Sequence, residues 1–453
     1  MNDAIFSQLD FGPLDEFLRE DNITDISYSN GGQVWLKTLD KGVYQVNRPE
    51  INNALMEKLA FQCANVMGKT FNMAHPMLDA ESAELRMNFV HESIATNGIA
   101  CLIRKTPAKI RLNREKLIEE KYVSADLLDF LLKCVEGHAN IIVSGETGSG
   151  KTELVKYLAS HIKENEKIIT IEDTLELHLD KIFPHRDIVA LKTNNVASYS
   201  DILVACMRQN PIWILLSEVR SAEAVMAVRN SISSGHHILS TIHSDKARLI
   251  PMRMFALIES NIDVEQFVTT IHRYVQIGIY VKGYMSAELG RFQREILEVC
   301  EFYVDDDNKP QVNTIYQKTL TGELTINNPT KHLRDYLGIG GVEIGEDLFH
   351  LNTPRTEPPK EASMEVPLVE PASPQAPATP VEAPKPQAPS PSVANQTPVI
   401  KTTQVIREAL NPQATSPSVM NPGVASNPTI PNMVRTEPIP NGQVPTGTVN
   451  GVV

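Results

Sequence analysis

One short stretch, residues 140–152, limits what this chain can fold into more than any other. Its sequence is NIIVSGETGSGKT. Residues 141–143 form an apolar run typical of a buried strand, and residues 153–164 repeat apolar side chains at helical spacing. Between them lies the pattern G-x-x-x-x-G-K-[ST], which binds phosphate when it joins a strand to a helix. We therefore predict a nucleotide-binding loop.

The residue types in this loop each suit one task. Its glycines let the backbone turn sharply, so that N–H groups at the start of the helix can approach phosphate oxygens. Lys151 is placed to reach the outer phosphates, and the Thr152 hydroxyl to bind a magnesium ion. The predicted nucleotide-binding residues are Gly145, Glu146, Thr147, Gly148, Ser149, Gly150, Lys151, Thr152 and Glu153.

Composition separates a globular part from a tail. The chain has 453 residues and is 42% hydrophobic, which leaves room for two or three domains with real cores. Of its 30 prolines, 21 follow Leu351, and the last aromatic residue is Phe349. Because a segment with so little to bury cannot offset its chain entropy, residues 351–453 are predicted to be a disordered, proline-rich tail.

Charge and cysteine usage exclude several classes. A net charge of -13 argues against a broad basic surface, so we expect no direct sequence-specific binding of nucleic acid. The five cysteines lie far apart, which disfavours a zinc site or a disulfide framework. No apolar run approaches the roughly 18 residues that span a bilayer, and the N-terminus lacks a signal pattern. We expect a cytoplasmic protein.

Alternating patterns predict two domains joined by a linker. Residues 1–105 suggest a small α/β domain that opens with a hairpin around residues 30–32. Residues 106–122 are charged and aperiodic, as in a linker. Residues 123–350 alternate strands with helices, which predicts a parallel α/β sheet. Two later strands, near residues 274–280 and 295–303, extend or flank this sheet, and their order stays open.

Polar side chains end the predicted strands, where parallel sheets bind their ligands. Glu218 follows the apolar run PIWILLS and is placed either to polarise the attacking water or to bind the magnesium shell. Glu172 or Asp173, after the neighbouring strand, could take a proton from water or hold an outer-shell water. His236 and His243 bracket a further strand, and either could sense the γ-phosphate. The cations from which a phosphate-stabilising arginine could come are Arg86, Arg104, Arg208 and Arg220.

Four segments in order resemble the conserved boxes of the bacterial secretion ATPases. They are GETGSGKT at residues 145–152, IEDTLEL at 171–177, SEVR at 217–220 and GHHILSTIHS at 235–244. Three further segments are similar to the N-terminal domain of the type IV secretion and conjugation ATPases: ITDISYSNGGQVW at residues 23–35, PMLDA at 76–80 and LIRK at 102–105. The resemblance covers about residues 10–305.

This resemblance implies a fold, a reaction and an assembly. It implies a RecA-like ATPase domain preceded by a small PAS-like α/β domain, with ATP bound between them and Mg²⁺ as cofactor. It also implies a homo-hexameric ring at the inner face of the cytoplasmic membrane, with inner-membrane components and a coupling ATPase as partners. The implied catalytic residues are Glu218 as Walker B acid, Glu172 as general base, His236 and His243, and Arg86 and Arg104 as the arginines for phosphate. The metal ligands predicted from the loop motif and the acids at the strand ends are Thr152, Glu218 and Asp173.

The chain departs from the family pattern at three places, and other functions stay open. Ser217 replaces a usual glycine, Glu153 a usual serine or threonine, and residues 210–212 lack the usual acids. One alternative is a motor for a type IV pilus or a type II secretion system, although the four-cysteine insertion of the type II enzymes is missing. The others are a nucleotide-binding scaffold with little hydrolysis and a DNA translocase.

Overall fold

A computed structural model describes residues 9–258 and 262–345, which all belong to one compact unit. The predicted tail, residues 351–453, lies outside the described residues. The first part of the chain contains α1 (Asp15–Arg19), β1 (Ile23–Ser29), β2 (Gln33–Thr38), β3 (Gly42–Val46), α2 (Asn53–Met67), β4 (Met77–Glu81), β5 (Leu85–Val90), β6 (Ala100–Lys105), α3 (Arg114–Glu119) and α4 (Ala125–Glu136).

The second part is built around the predicted loop. It contains β7 (Ile141–Gly145), α5 (Lys151–Ala159), β8 (Ile168–Glu172), α6 (Leu179–Ile182), β9 (Ile188–Lys192), α7 (Tyr199–Cys206), β10 (Trp213–Val219), α8 (Ala222–Ser233), β11 (His237–Ile242), α9 (Ile250–Phe255), α10 (Val264–Tyr274), β12 (Ile277–Ser286), β13 (Arg291–Val304), β14 (Pro310–Lys318), β15 (Leu324–Ile326) and α11 (Lys331–Ile339). None of the described helices is long and apolar enough to cross a membrane.

The N-terminal sheet is antiparallel, with strand order β3-β2-β1-β6-β5-β4. Helix α2 covers one face and buries Met56, Leu59 and Cys63 against apolar side chains of the strands. The helix begins where the Asn52 side chain accepts a hydrogen bond from the Leu55 N–H, at 3.1 Å. The other face of the sheet is therefore available to carry polar side chains.

The second sheet has nine strands in the order β15-β14-β13-β12-β7-β11-β10-β8-β9. The six strands from β12 to β9 are parallel, and β13, β14 and β15 add antiparallel strands at one edge. Helices cover both faces, each over its own apolar core. One strand, β11, separates the loop strand β7 from β10, which carries Glu218. The predicted class, an α/β RecA-like fold with a small α/β N-terminal part, is confirmed.

Most predicted elements are present, with differences at their ends. The helix after the loop begins at Lys151 instead of residue 153, because Gly150 takes a left-handed φ of 96° at its N-cap, and it ends at Ala159 instead of residue 164. The strand with Ser217 and Glu218 continues to Val219. The sequence patterns missed β4, β9, β14, β15 and α11. Of these strands, β4, β9 and β15 are short and lie at sheet edges, whereas β14 has 9 residues and lies between β13 and β15. The predicted linker contains the short helix α3.

Candidate active site

The phosphate-loop motif lies where a buried strand becomes a helix. Gly145, Gly148 and Gly150 have φ values of 152°, 81° and 96°, a region that side chains rarely occupy. A Cβ on Gly145 would come 2.3 Å from the Val281 backbone oxygen. The loop is thus packed tightly against β12 on one side, and glycine is required for both the backbone turn and the close approach.

Lys151 points its ammonium group back onto the loop. Its Nζ donates to the backbone oxygens of Gly145 and Glu146, both at 2.9 Å, and lies 3.4 Å from His243 Nδ1. Burial lowers the pKa of Lys151 from its ordinary value. The hydrogen-bond acceptors are neutral carbonyls, so a phosphate oxygen would be the stronger partner for this cation.

Glu218 is joined to the loop through one imidazole ring. Its Oε1 lies 2.8 Å from His243 Nε2, and His243 Nδ1 lies 3.0 Å from the Gly145 oxygen. This arrangement follows from the sheet, because β10, β11 and β7 are neighbouring parallel strands and their carboxyl ends meet at one edge. The structure therefore brings together three predicted site residues, Glu218, His243 and Lys151.

Glu172 has a different environment. Its side chain has no exposed surface, and its Oε2 accepts hydrogen bonds from the Glu176 and Leu177 N–H groups at 2.8 and 3.1 Å. Burial raises the pKa of Glu172 to about 7. These contacts shape the turn after β8. The role of Glu172 as general base stays a prediction.

Glu176 is a further acid next to the loop, and it is not among the residues that the sequence patterns predicted for the site. Its Oε2 accepts a hydrogen bond from the Thr152 hydroxyl at 3.2 Å, and its half-buried side chain lines the cavity above the loop. The available signal was that Glu176 is the third acid in the segment IEDTLEL. Glu172, at the end of β8, holds the backbone of the following turn through hydrogen bonds, and the Glu176 side chain projects from that turn to the cavity.

The buried carboxyl of Glu172 predicts a pH-dependent stability. The folded chain holds this proton up to about pH 7, whereas the ordinary value for the group is 4.5. Raising the pH between these values therefore favours the unfolded state, which ionises first. Between pH 5 and 7.5 we expect the wild type to lose about 2–3 kcal/mol of unfolding free energy relative to Glu172→Gln. Urea unfolding of both proteins at several pH values measures this, and parallel curves would contradict it.

Asp173 and Arg220 pair with each other beside Glu218. An Asp173 carboxylate oxygen contacts the Arg220 guanidinium, and Arg220 Nη1 lies 4.0 Å from Glu218 Oε2. The predicted metal ligand Asp173 is therefore already engaged by a cation. Arg208, another predicted candidate for phosphate, is exposed on the surface.

His236 lies away from the loop, and its predicted part in the site requires correction. It precedes β11, whereas His243 follows that strand. A strand rises about 3.3 Å per residue, so the two histidines are about 23 Å apart, at opposite ends of β11. The ring of His236 lies 3.0 Å from the Ser234 hydroxyl. Only one of two residues that bracket a strand can reach its carboxyl end.

A row of charged residues crosses the N-terminal sheet. Cross-strand neighbours in this row are Lys37, Asp25, Arg104, Arg86 and Glu81, in that order. Directly opposed residues share one face of an antiparallel sheet, so all five project from the same face. Arg104 Nε donates to Asp25 Oδ1 at 2.7 Å, and Glu81 pairs with Lys192 of the second sheet.

This charged face meets the loop at a cavity with a large excess of positive charge. Two further predicted residues, Arg104 and Glu153, line the cavity together with the loop residues Gly148, Gly150, Lys151 and Thr152. The cations around it are Lys37, Arg104, Lys105, Arg111, Lys151, Lys156 and Arg294, and the acids are Asp25, Glu153 and Glu176. The charged side chains that line the cavity are thus seven cations and three carboxylates, an excess of four positive charges. Such an excess favours binding of a polyanionic ligand.

Glu153, one of the departures from the family pattern, has a charge partner. Its Oε1 lies 3.4 Å from the Nζ of Lys156, whose side chain is 2% exposed. A buried ammonium is costly without such a partner. The acid at this position therefore balances a lysine one helical turn further along α5.

The oxygen groups beside the loop suit a magnesium ion. Thr152 Oγ1 and Glu176 Oε2 lie 3.2 Å apart, and Glu218 approaches the same loop through His243. Within residues 9–258 and 262–345, no three His, Cys, Asp or Glu side chains form a metal-binding group. Mg²⁺ usually takes one or two protein oxygen ligands and completes its shell with phosphate and water oxygens, so Thr152 Oγ1 and a neighbouring carboxylate are groups that could hold it.

The family model described as "Type II/IV secretion system protein" matches residues 7–277. The chain belongs to this family. The resemblance to secretion traffic ATPases, predicted from the four boxes and the N-terminal segments, is thereby confirmed. The match includes the N-terminal sheet and the loop, with Glu176, Glu218 and His243.

Individual relatives of this secretion family protein match over part of their length. An uncharacterized protein of Bacillus anthracis is 31% identical over 294 residues, 63% of this chain and 66% of the relative. The type IV secretion system protein VirB11 of Bartonella quintana is 34% identical over 191 residues, 38% of this chain and 52% of VirB11. The chain thus spans less than two thirds of these curated relatives. The X-ray structure of the Legionella pneumophila ATPase DotB has a TM-score of 0.44 at 17% identity, covering 61% of this chain and 77% of that one.

Proposed function

We propose that this secretion family protein binds ATP in the cavity between its two sheets and hydrolyses it to ADP and inorganic phosphate. The observation that carries the proposal is the excess of four positive charges around a G-x-x-x-x-G-K-T loop. A nucleoside triphosphate carries about four negative charges at neutral pH, so its phosphates would neutralise the cavity. The loop supplies backbone N–H groups at the start of α5 for the same phosphates.

In the proposed reaction, a water oxygen attacks the γ-phosphorus while the bond to the β,γ-bridging oxygen breaks. Glu176 orients this water and takes its proton. Lys151 leaves its two loop carbonyls and binds the phosphates, and Glu218 holds a negative charge next to the site. Arg104, with Arg86 beside it in the charged row, is our candidate for the cation that stabilises the charge on the transferred group.

We propose Thr152 and Glu218 as the groups that would hold Mg²⁺, directly or through water, which leaves the Glu176 carboxylate for the attacking water. When bound, the ion would offset the negative charge that moves during transfer of the phosphoryl group. Asp173 is less suited than the sequence implied, because Arg220 already compensates its charge.

Ser217, which departs from the family pattern, is buried in β10. Its backbone oxygen accepts a hydrogen bond from the Thr241 hydroxyl at 2.6 Å, so this residue joins two strands of the sheet.

At the level of the machine, we propose a homo-hexameric motor for type IV secretion or conjugation at the inner face of the cytoplasmic membrane. The family match and the similarity to VirB11 support this assignment. Inner-membrane components and a coupling ATPase would be its partners, without sequence-specific binding of nucleic acid. The N-terminal sheet would close on ATP and open after hydrolysis. A pilus or type II secretion motor is the nearest alternative.

Release of phosphate from ATP by the purified chain tests the proposal. With Mg²⁺ present we expect steady turnover, and we expect chelation by EDTA to lower it by at least about 100-fold, because charge on the transferred phosphoryl group then lacks its main counter-ion. Binding of a non-hydrolysable ATP analogue is measured in parallel. Binding without phosphate release would favour the scaffold alternative, and no binding would contradict the proposal.

A further inference from the structure

Two cations from different sheets converge on one residue of the loop. Arg294, on β13, donates its Nε to the Gly148 backbone oxygen at 3.3 Å. Lys37 lies on β2 of the N-terminal sheet. Its Nζ is so close to the loop that a Cβ placed on Gly148 would come 2.4 Å from it. The ammonium of Lys37 therefore lies against the phosphate loop itself. Neither residue belongs to a segment that marked the site in the sequence.

Arg294 also holds the end of the strand that carries Lys37. Its Nη1 donates to the Leu39 backbone oxygen at 3.0 Å, two residues beyond Lys37. The guanidinium rests on the Phe292 ring, 4.8 Å from the centroid, and the Phe292 N–H donates to the Asp40 oxygen at 2.6 Å. Arg294 thus connects the loop to the end of β2 through two backbone carbonyls. This contact fixes where Lys37 can lie.

The charge of Lys37 is not balanced by the neighbouring acids. Asp25 lies opposite Lys37 in the sheet. One of its carboxylate oxygens accepts a hydrogen bond from Arg104, and the other accepts one from the Thr24 hydroxyl. Glu176 accepts a hydrogen bond from the Thr152 hydroxyl, and Glu153 forms an ion pair with the buried Lys156. Across residues 9–258 and 262–345, no carboxylate lies within ion-pair distance of Lys37. An unpaired ammonium against a phosphate loop is placed to donate a charge-assisted hydrogen bond to a phosphate oxygen.

We propose that Lys37 binds the phosphate chain of the nucleotide held by its own loop, and that Arg294 is the positioning residue that keeps Lys37 there. This inference rests on the proposed function. It adds a contact from the N-terminal sheet to the phosphates within one chain. The bound phosphates then bridge the two sheets at Gly148, so nucleotide binding strengthens the attachment of β2 to the loop.

Binding of a non-hydrolysable ATP analogue, measured by calorimetry, tests the role of Lys37. Lys37→Met is expected to weaken binding about 10- to 100-fold, the effect of losing one charge-assisted hydrogen bond. Lys37→Arg keeps the charge and should retain most of the affinity. The matched control is Lys41→Met, an exposed lysine on the same hairpin whose ammonium lies over the Tyr44 ring, and it should change affinity less than about twofold.

A double-mutant cycle tests the positioning role of Arg294. If Arg294 holds Lys37 in place, Lys37→Met should weaken binding less than about threefold in an Arg294→Met background. A purely structural arginine would leave the full effect of Lys37→Met in that background, and this result would overturn the positioning role. Equal binding by the wild type and Lys37→Met would overturn the role of Lys37. Failure of the wild type to bind would instead overturn the proposed function.

Discussion

Replacing Glu176 by glutamine is expected to lower the rate of ATP hydrolysis by about 10²- to 10⁴-fold, the usual contribution of a general base. Glu176 lies 3.2 Å from the Thr152 hydroxyl and lines the cavity where the phosphates would bind. Glutamine keeps the size of the side chain and an oxygen for Thr152, but it cannot take a proton from water. Affinity for the nucleotide should therefore change much less than turnover.

Glu172→Gln is the matched comparison for this prediction, because Glu172 ends β8 and Glu176 lies in the turn that follows. Single-turnover hydrolysis should change less than about tenfold in Glu172→Gln, since that carboxyl is fully buried and bonded to backbone N–H groups. Its effect should appear instead in the pH dependence of unfolding. If Glu172→Gln loses more activity than Glu176→Gln, the general base is Glu172, as the family resemblance implies.

Glu218→Gln is expected to lower turnover by about 10²- to 10³-fold while binding of ATP stays measurable. The carboxylate is linked through His243 to the Gly145 oxygen, so its charge is held at the edge of the loop. Glutamine preserves an acceptor for His243 and removes only the charge. The expected loss is smaller than for a base because, in the proposed mechanism, Glu218 acts through its negative charge and through the metal shell.

Phosphate release by Glu218→Gln should be compared with that of Glu223→Gln. Glu223 is an exposed acid in the first turn of the next helix, and its replacement should leave turnover within about twofold of the wild type. Binding of a fluorescent ATP analogue to both variants separates a loss of chemistry from a loss of affinity. Equal turnover in Glu218→Gln and wild type would refute the assigned role.

The chemistry of the loop and the parallel sheet around it could be predicted because they depend on contiguous residues. The spacing of glycines with Lys151 and Thr152 sets the loop, and apolar periodicity on either side sets the strand and the helix. The acid at the end of β10 was predictable for the same reason, since carboxyl ends of parallel strands meet at one edge. His243 lies at this edge for the same reason, whereas His236 precedes β11 and therefore lies at the other end of the strand.

Contacts between the two sheets could not be predicted, because they depend on register and docking. Lys37 and Gly148 meet only because β2 ends over the loop and Arg294 holds it there. The row that places Arg86 beside Arg104 follows from the pairing of β5 with β6. Likewise, Glu172 and Glu176 have different environments because the Glu176 and Leu177 N–H groups bond to the buried Glu172 carboxyl, which leaves the Glu176 side chain at the cavity. Local patterns encode which groups can bind phosphate, whereas long-range packing selects which of them face it.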